Sequence, residues 1–359
     1  MLSAWLLGKI AADEAASAFR RWRSLRLPDV DWQRVAQETR SAEALHRARG
    51  WLDDPATYHH APDAPRAVES ARQRVFGIDF EHVRFDSGYC PPLDEPGVAR
   101  WRSYAPCGVV HAWVLRRQQP RRPWLMCIPG YSMGTPFIDL VTFDAARLAA
   151  ELDVNIAIPV LPLHGPRRIG SMSGDGYFAG DCLDTLHAQA QAVWDVRKLL
   201  AWIRAEGGRN IGVYGLSLGG YTAALLAALE PRLACVIAGI PAADFVRLGQ
   251  LHVPASMQAA AVEAGFDWTL VERIFRVISP LAMPPRVAKS RRYLFAGMAD
   301  RIVPLAQARR LWRHWDRPQS IWYRGSHLSF AWEQRVREWI GSALHTHLAA
   351  RPPAHQQAA

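Results

Sequence analysis

A mostly parallel α/β sheet covered by helices on both faces is the fold class this chain predicts, and three observations lead to it. From about residue 79, short β-type runs alternate with longer helix-type segments, the pattern of right-handed β–α–β crossovers. Several of the short runs, such as Trp124–Ile128 and Ala234–Ile240, are continuously apolar, as strands buried on both faces are. The third observation is a Gly-x-Ser-x-Gly pattern that occurs twice, at Gly130-Tyr131-Ser132-Met133-Gly134 and Gly215-Leu216-Ser217-Leu218-Gly219. With glycine near ~7 % of residues, chance produces one such pattern in a chain this long only about one time in ten. Two copies call for an explanation.

The length of 359 residues suits one large domain with insertions or two domains. Residues 1–78 are rich in Ala, Arg, Glu and Trp and read as a helical N-terminal arm, with a helix over Asp31–Arg49 and turns at Pro55, Pro62 and Pro65. Met1 to Ile10 is too short an apolar stretch for a secretory signal. The first helix of the arm has amphipathic character (Trp5, Leu6, Ile10, then Phe19 and Trp22) that fits docking against the next domain better than lying on a membrane. Within 79–348, strands are expected at Phe80–Phe85, Gly108–Arg116, Trp124–Ile128, Asn155–Leu161, Ile211–Tyr214, Ala234–Ile240, Arg292–Ala296 and Ser320–Tyr323. Helices are expected at Ile138–Leu152, Thr185–Arg204, Tyr221–Glu230, Pro304–Trp315 and Phe330–Leu348. Between Ala242 and Pro285 the alternation lapses into Met-, Phe- and Ala-rich helical pieces, a stretch too long for a plain connection. Residues 242–285 read as a helical cap over a pocket, with a purely structural excursion as the alternative. Residues 349–359 read as a disordered tail.

The formal net charge of +10 invites a polyanion or an anionic membrane as partner. Only three lysines occur, however, and the arginines lie in scattered pairs and not in one block. No nucleic-acid partner is expected, and a membrane surface is the lesser alternative. The five cysteines include no CxxC pair, and no run approaches the ~20 apolar residues of a membrane span, so a reducing, cytoplasmic location is expected. Without an HExxH or a Gly-rich phosphate loop, no metal and no organic cofactor are expected.

A serine hydroxyl becomes a nucleophile only when a base takes its proton and the developing oxyanion is stabilised. A sharp strand-to-helix turn supplies both, with small residues two positions either side of the serine. Ser217 meets each requirement: an apolar strand leads in, Gly215 and Gly219 flank it, and a strong helix follows at once. Leu218 then presents a free N–H at a helix N-terminus. Ser132 fits less well, because Pro136 and Phe137 intervene before the next helix. Its loop suits the opposing role, with the backbone of Tyr131 as the second oxyanion donor and Ser132 as the other choice. The alternative is that Gly130 and Gly134 merely shape a tight loop.

An acid and then a histidine should follow the nucleophile. Asp300 comes directly after the strand Arg292–Ala296, where a carboxylate is well placed to orient an imidazole; capping the helix after Pro304 is its alternative use. Asp244 is the rival acid. His327 follows the last predicted strand, whereas His187, His314, His345 and His347 lie in or at the ends of helices. Taken together, these features make the chain similar to the α/β-hydrolase superfamily over about residues 79–348. The elbow, acid loop and histidine loop place it closest to the esterase and dienelactone-hydrolase/prolyl-oligopeptidase-like branch. The resemblance implies Ser217, Asp300 and His327 as a catalytic triad, with the Leu218 and Tyr131 amides as the oxyanion hole. One departure is Pro129-Gly130, where many members carry His-Gly.

The stretch Leu161–Arg168 lies at the same edge of the sheet. It offers Ser132, His164 and Arg167, or Arg168, as candidate substrate contacts, although the arginine pair is better read as anchoring a loop to nearby carboxylates. The leading expectation is a serine hydrolase that cleaves a small-molecule carboxylic ester through an acyl-enzyme. An acyltransferase, thioesterase or peptidase would use the same triad. A non-catalytic binding or membrane-surface protein on a hydrolase scaffold is the reading from another class.

Overall fold

The computed structural model describes Asp13, residues 30–117 and residues 122–349. The expected first helix apart from Asp13, and all but Ala349 of the expected tail, lie outside these residues. Nine strands form one sheet: β1 Glu69–Val75, β2 Ile78–Asp86, β3 Val109–Leu115, β4 Trp124–Ile128, β5 Asn155–Pro159, β6 Ile211–Leu216, β7 Cys235–Gly239, β8 Arg292–Gly297 and β9 Gln319–Tyr323. Their order is β1-β2-β3-β5-β4-β6-β7-β8-β9. The pairings from β5 through β9 are parallel, and those among β1, β2, β3 and β5 are antiparallel.

Side chains on the central strands point alternately to two apolar layers, as strand geometry requires. Met126, Val213, Val236 and Leu294 face one layer, with helices Cys182–Ala205 and Leu218–Leu229. Leu125, Tyr214, Ile237 and Phe295 face the other, with helices Ala145–Leu152 and Gln334–Leu348. Burial on both faces explains why these strands are continuous apolar runs in the sequence.

Register fixes where the two Gly-x-Ser-x-Gly turns meet. β4 and β6 are parallel neighbours, with Trp124 opposite Ile211 and Ile128 opposite Gly215. Both turns therefore leave adjacent strands at the same edge of the sheet. β8 and β9 end level at that edge too, with Gly297 opposite Tyr323. The loops carrying Ser132, Ser217, Asp300 and His327 all issue from strand C-termini, where open α/β sheets place their ligands.

Two expectations need correction. The sheet begins at Glu69, inside the stretch read as a helical arm over 1–78. β1 is an edge strand with residues Glu69–Arg74 exposed, so it lacks the apolar alternation that marks a half-buried strand. It pairs with β2 through a two-residue turn, Phe76-Gly77, in which both residues have positive φ (46° and 81°), as a twist-matched hairpin turn requires. The expected helix Ile138–Leu152 is two helices, Pro136–Thr142 and Ala145–Leu152. Asp144 breaks it at φ 50°, a conformation Asp tolerates better than most residues.

Between β7 and β8 the chain forms helices Phe245–His252, Ala255–Glu263 and Trp268–Ile274, then a tight turn over Phe275–Ile278. The helix Trp32–Ala48, N-capped by Asp31, packs on them: Trp32 meets Phe266 edge-on with ring centroids 5.5 Å apart, and Glu43 pairs with Arg273 at 3.2 Å. Among the described residues, no helix is long and apolar enough to cross a membrane.

Candidate active site

β6 ends at Leu216 and the next helix starts at Leu218, so Ser217 is the one residue that turns the chain. Its backbone lies at φ 56°, ψ −111°, a region that side chains beyond glycine rarely occupy. Close packing holds it there. A Cβ on Gly219 would stand 1.9 Å from the Ile128 carbonyl oxygen, and one on Gly215 would stand 2.0 Å from the Gly219 carbonyl oxygen. The Ser217 N–H donates to the Gly239 carbonyl at 2.9 Å. Gly219 is thus forced by the approach of β4 and Gly215 by the first turn of the following helix, and the serine is projected from the sheet edge.

Ser217 Oγ lies 3.0 Å from His327 Nε2, and His327 Nδ1 lies 2.7 Å from Asp300 Oδ2. The carboxylate accepts, so the proton belongs on Nδ1 and Nε2 is free to accept from the serine hydroxyl. Asp300 Oδ1 accepts from the N–H groups of Ile302 and Val303 at 2.9 and 2.7 Å, which fixes the carboxylate on its loop. The acid and histidine loops are tied by Met298 N–H to the Tyr323 carbonyl and Ala299 N–H to the Gly325 carbonyl, at 2.9 and 3.0 Å. Both Asp300 and His327 are buried. The rival acid, Asp244, is used differently. It caps helix Phe245–His252 through the Arg247 N–H and pairs with Arg247 and Arg310.

The first Gly-x-Ser-x-Gly turn faces the second. A Cβ on Gly130 would be 3.4 Å from the Ser217 Cβ, so the loop after β4 abuts Ser217. Asp139, fully buried, braces it by accepting from Gly134 N–H at 2.9 Å and Trp113 Nε1 at 2.8 Å. Burial pushes its carboxyl up to about 7. Among the described residues, the N–H groups of Tyr131 and Leu218 meet no protein acceptor, and both residues line the cavity beside Ser217. Ser132 is exposed at φ 68° and does not line that cavity.

His164 and Arg167 do not line it either. Arg167 is fully buried and is a loop anchor, with its guanidinium donating to Val160 and Cys107 carbonyls and paired with Asp195 at 2.7 Å. Arg168 donates to the Gly165 carbonyl at 3.2 Å. His164 supports the Tyr131 ring edge-on, centroids 5.6 Å apart, and its Nδ1 donates to the Pro162 carbonyl at 2.8 Å. Burial lowers it to about 4. A histidine kept neutral in the fold but free to charge when unfolded lends stability at neutral pH that disappears as pH falls from about 6.5 toward 4. Its share by pH 4 is on the order of 3 kcal/mol. His164→Asn keeps a donor for Pro162 and removes the titration, so its melting temperature should fall less steeply over that range in a pH series of thermal melts.

A cavity of about 290 Å³ opens from Ser217 under the 245–278 helices. Its wall is mainly apolar, with Phe178, Phe245, Met257, Phe266, Trp268 and Phe275 among its residues. Phe245 stacks on Tyr221 of helix Leu218–Leu229, centroids 3.8 Å apart and 9° from parallel, which seats the first of these helices beside the Ser217 turn. Trp32, from the N-terminal helix, also lines the cavity. Its tryptophan-rich surroundings were the available hint. A further residue, Asp13, is fully buried and reaches the backbone of His327; nothing in the sequence singled it out.

The chain matches no protein-family model. It is 40% identical over 315 residues to two uncharacterized proteins of Mycobacterium tuberculosis, from strains CDC 1551 / Oshkosh and ATCC 25618 / H37Rv. The match spans 87% of this chain and 75% of each relative. Among solved structures, it is similar to an acetyl xylan esterase from Paenibacillus sp. R4, with TM-score 0.57 and 15% identity over 81% of this chain and 92% of the other. It is also similar to acetyl xylan esterase 1 from Thermoanaerobacterium sp. JW/SL YS485, with TM-score 0.52 and 17% identity over 77% and 86%. At these identities the likeness is one of fold, the α/β-hydrolase fold.

Proposed function

The chain belongs to the family of the two M. tuberculosis proteins and has the α/β-hydrolase fold, and from that premise we propose that it is a serine hydrolase acting on carboxylic esters. The observation that carries the proposal is the unbroken relay from Ser217 Oγ to His327 Nε2 at 3.0 Å and from His327 Nδ1 to Asp300 at 2.7 Å.

His327 takes the Ser217 proton as Oγ bonds to the acyl carbon, and the carbonyl electron pair moves onto its oxygen. The Leu218 and Tyr131 N–H groups receive that oxyanion, aided by the N-terminal end of helix Leu218–Leu229. Asp300 holds the imidazolium and its tautomer. The C–O bond to the alcohol then breaks, and the alcohol leaves with the proton from His327. Water, deprotonated by the same imidazole, releases the acid from the acyl-enzyme.

The apolar wall around Ser217 favours an ester with an aliphatic or aromatic group that fills the cavity. Each buried methylene contributes about 0.8 kcal/mol, so kcat/KM for p-nitrophenyl esters should rise about threefold to fourfold per carbon until the cavity is full, then level off. The direct test is labelling with a fluorophosphonate, followed by peptide mapping. Modification at Ser217 is expected; modification at Ser132, or none on folded protein, would overturn the proposal.

A further inference from the structure

His327 occupies a demanding place in the chain. It is the residue before the tight turn Leu328–Trp332, where a side chain ordinarily accepts from the first free N–H groups of the turn. The His327 ring cannot do so, because both its nitrogens are turned toward Asp300 and Ser217. The turn has no side-chain cap of its own.

The amides that open the turn are instead held from the other end of the chain. Asp13, 314 residues away in sequence, accepts from the His327 N–H at 2.7 Å through Oδ2. Its Oδ1 accepts from the Leu328 N–H at 3.2 Å. Oδ2 also accepts from the Arg301 N–H at 3.2 Å, so the same carboxylate joins the histidine loop to the acid loop. Asp13 is fully buried, and a buried carboxylate is tolerated where donors such as these surround it. The adjoining N–H groups of Ile302 and Val303 go to Asp300. Successive amides of one loop are thereby divided between the carboxylate that contacts the imidazole and one that clamps the loop from behind.

We propose that Asp13 is a positioning residue of the active site: it holds the His327 and Leu328 amides that open the histidine turn and locks that turn to the Asp300 loop. The proposal rests on the hydrolase reading. Asp13 does not line the cavity, so its loss acts on the chemical step and not on substrate binding. Without it, the buried N–H of His327 and the part-buried N–H groups of Leu328 and Arg301 lose their acceptor, and the loops that set the Asp300–His327 distance are free to shift. A displacement near 1 Å in a catalytic group costs about 100-fold in rate.

The test uses the full chain carrying Asp13→Asn, with Asp13→Ala beside it. Asparagine keeps the volume but turns one oxygen into an amino group that faces a backbone N–H. On p-nitrophenyl hexanoate, kcat should fall by about 100-fold with KM unchanged, while the circular dichroism spectrum stays that of the parent. The downfield proton resonance of the His327 imidazole should move or broaden, a change that a role confined to tethering the N-terminal segment would not cause. A folded Asp13→Asn protein with parental kcat overturns the proposal, as does one with lowered kcat and an unmoved resonance. If the parent neither turns over esters nor takes the fluorophosphonate, the hydrolase reading fails. The resonance still reports on the Asp13 clamp in that case, so the two failures are distinguishable.

Discussion

Replacing Ser217 by alanine is expected to lower kcat by about a million-fold while leaving the fold intact. The size of the effect follows from how the groups work together: once the nucleophile is gone, His327 and Asp300 have nothing to activate, and only the oxyanion donors and binding remain. The fold survives because the side chain contributes a single hydrogen bond, to His327. The backbone at φ 56° is held by Gly239 and by the packing of Gly215 and Gly219, none of which involves the hydroxyl. Steady-state kinetics on the best p-nitrophenyl ester, with thermal melts alongside, checks this. Activity within tenfold of the parent would mean that another group attacks.

The second large effect is expected from Asp300→Asn, a loss of about 10⁴-fold in kcat. The asparagine carbonyl can still accept from Ile302 and Val303, as Asp300 Oδ1 does at 2.9 and 2.7 Å, so the loop keeps its shape. The amino group, however, faces His327 Nδ1 and drives the imidazole proton to Nε2. That nitrogen can then no longer accept from Ser217. Asp244→Asn is the matched control. Asparagine caps helices as well as aspartate does, and the ion pairs lost with Arg247 and Arg310 lie away from the relay, so its kcat should stay near that of the parent. Equal losses in the two variants would transfer the acid role to Asp244.

How much of this was legible beforehand depends on what each residue shows to its own neighbours in sequence. The central strands were plain because burial on both sides makes β4 through β8 apolar runs, broken only by Asn155 and Arg292 at the first positions of β5 and β8. β1 was not, because Glu69-Ser70-Ala71-Arg72-Gln73-Arg74 satisfies one edge with backbone bonds while its side chains remain in water. Ser217, Asp300 and His327 could be read because each follows a strand and must therefore arrive at the same edge. For Arg167 the loop-anchor reading was the better one, but its partner was not legible: only the fold brings Asp195, on a helix 28 residues later, against it. Asp13 and Trp32 left still less trace, since their contacts are with chain that comes hundreds of residues afterward.

The same separation has a temporal side. The helix Trp32–Ala48 is made early, yet the surface that covers its apolar face, the helices from Phe245 to Ile274, is among the later parts to be synthesised. At ribosomal speeds of about 5–20 residues per second, that helix waits on the order of ten seconds or more with Trp32 uncovered. The nucleophile turn can form as soon as β4 and β6 pair, whereas the chamber beside it closes only after its first and later walls meet. A nascent chain would thus hold the turn that carries Ser217 before the walls beside it, and would join Ser217 to its hydrogen-bonded partners last, once Asp300 and His327 have followed those walls.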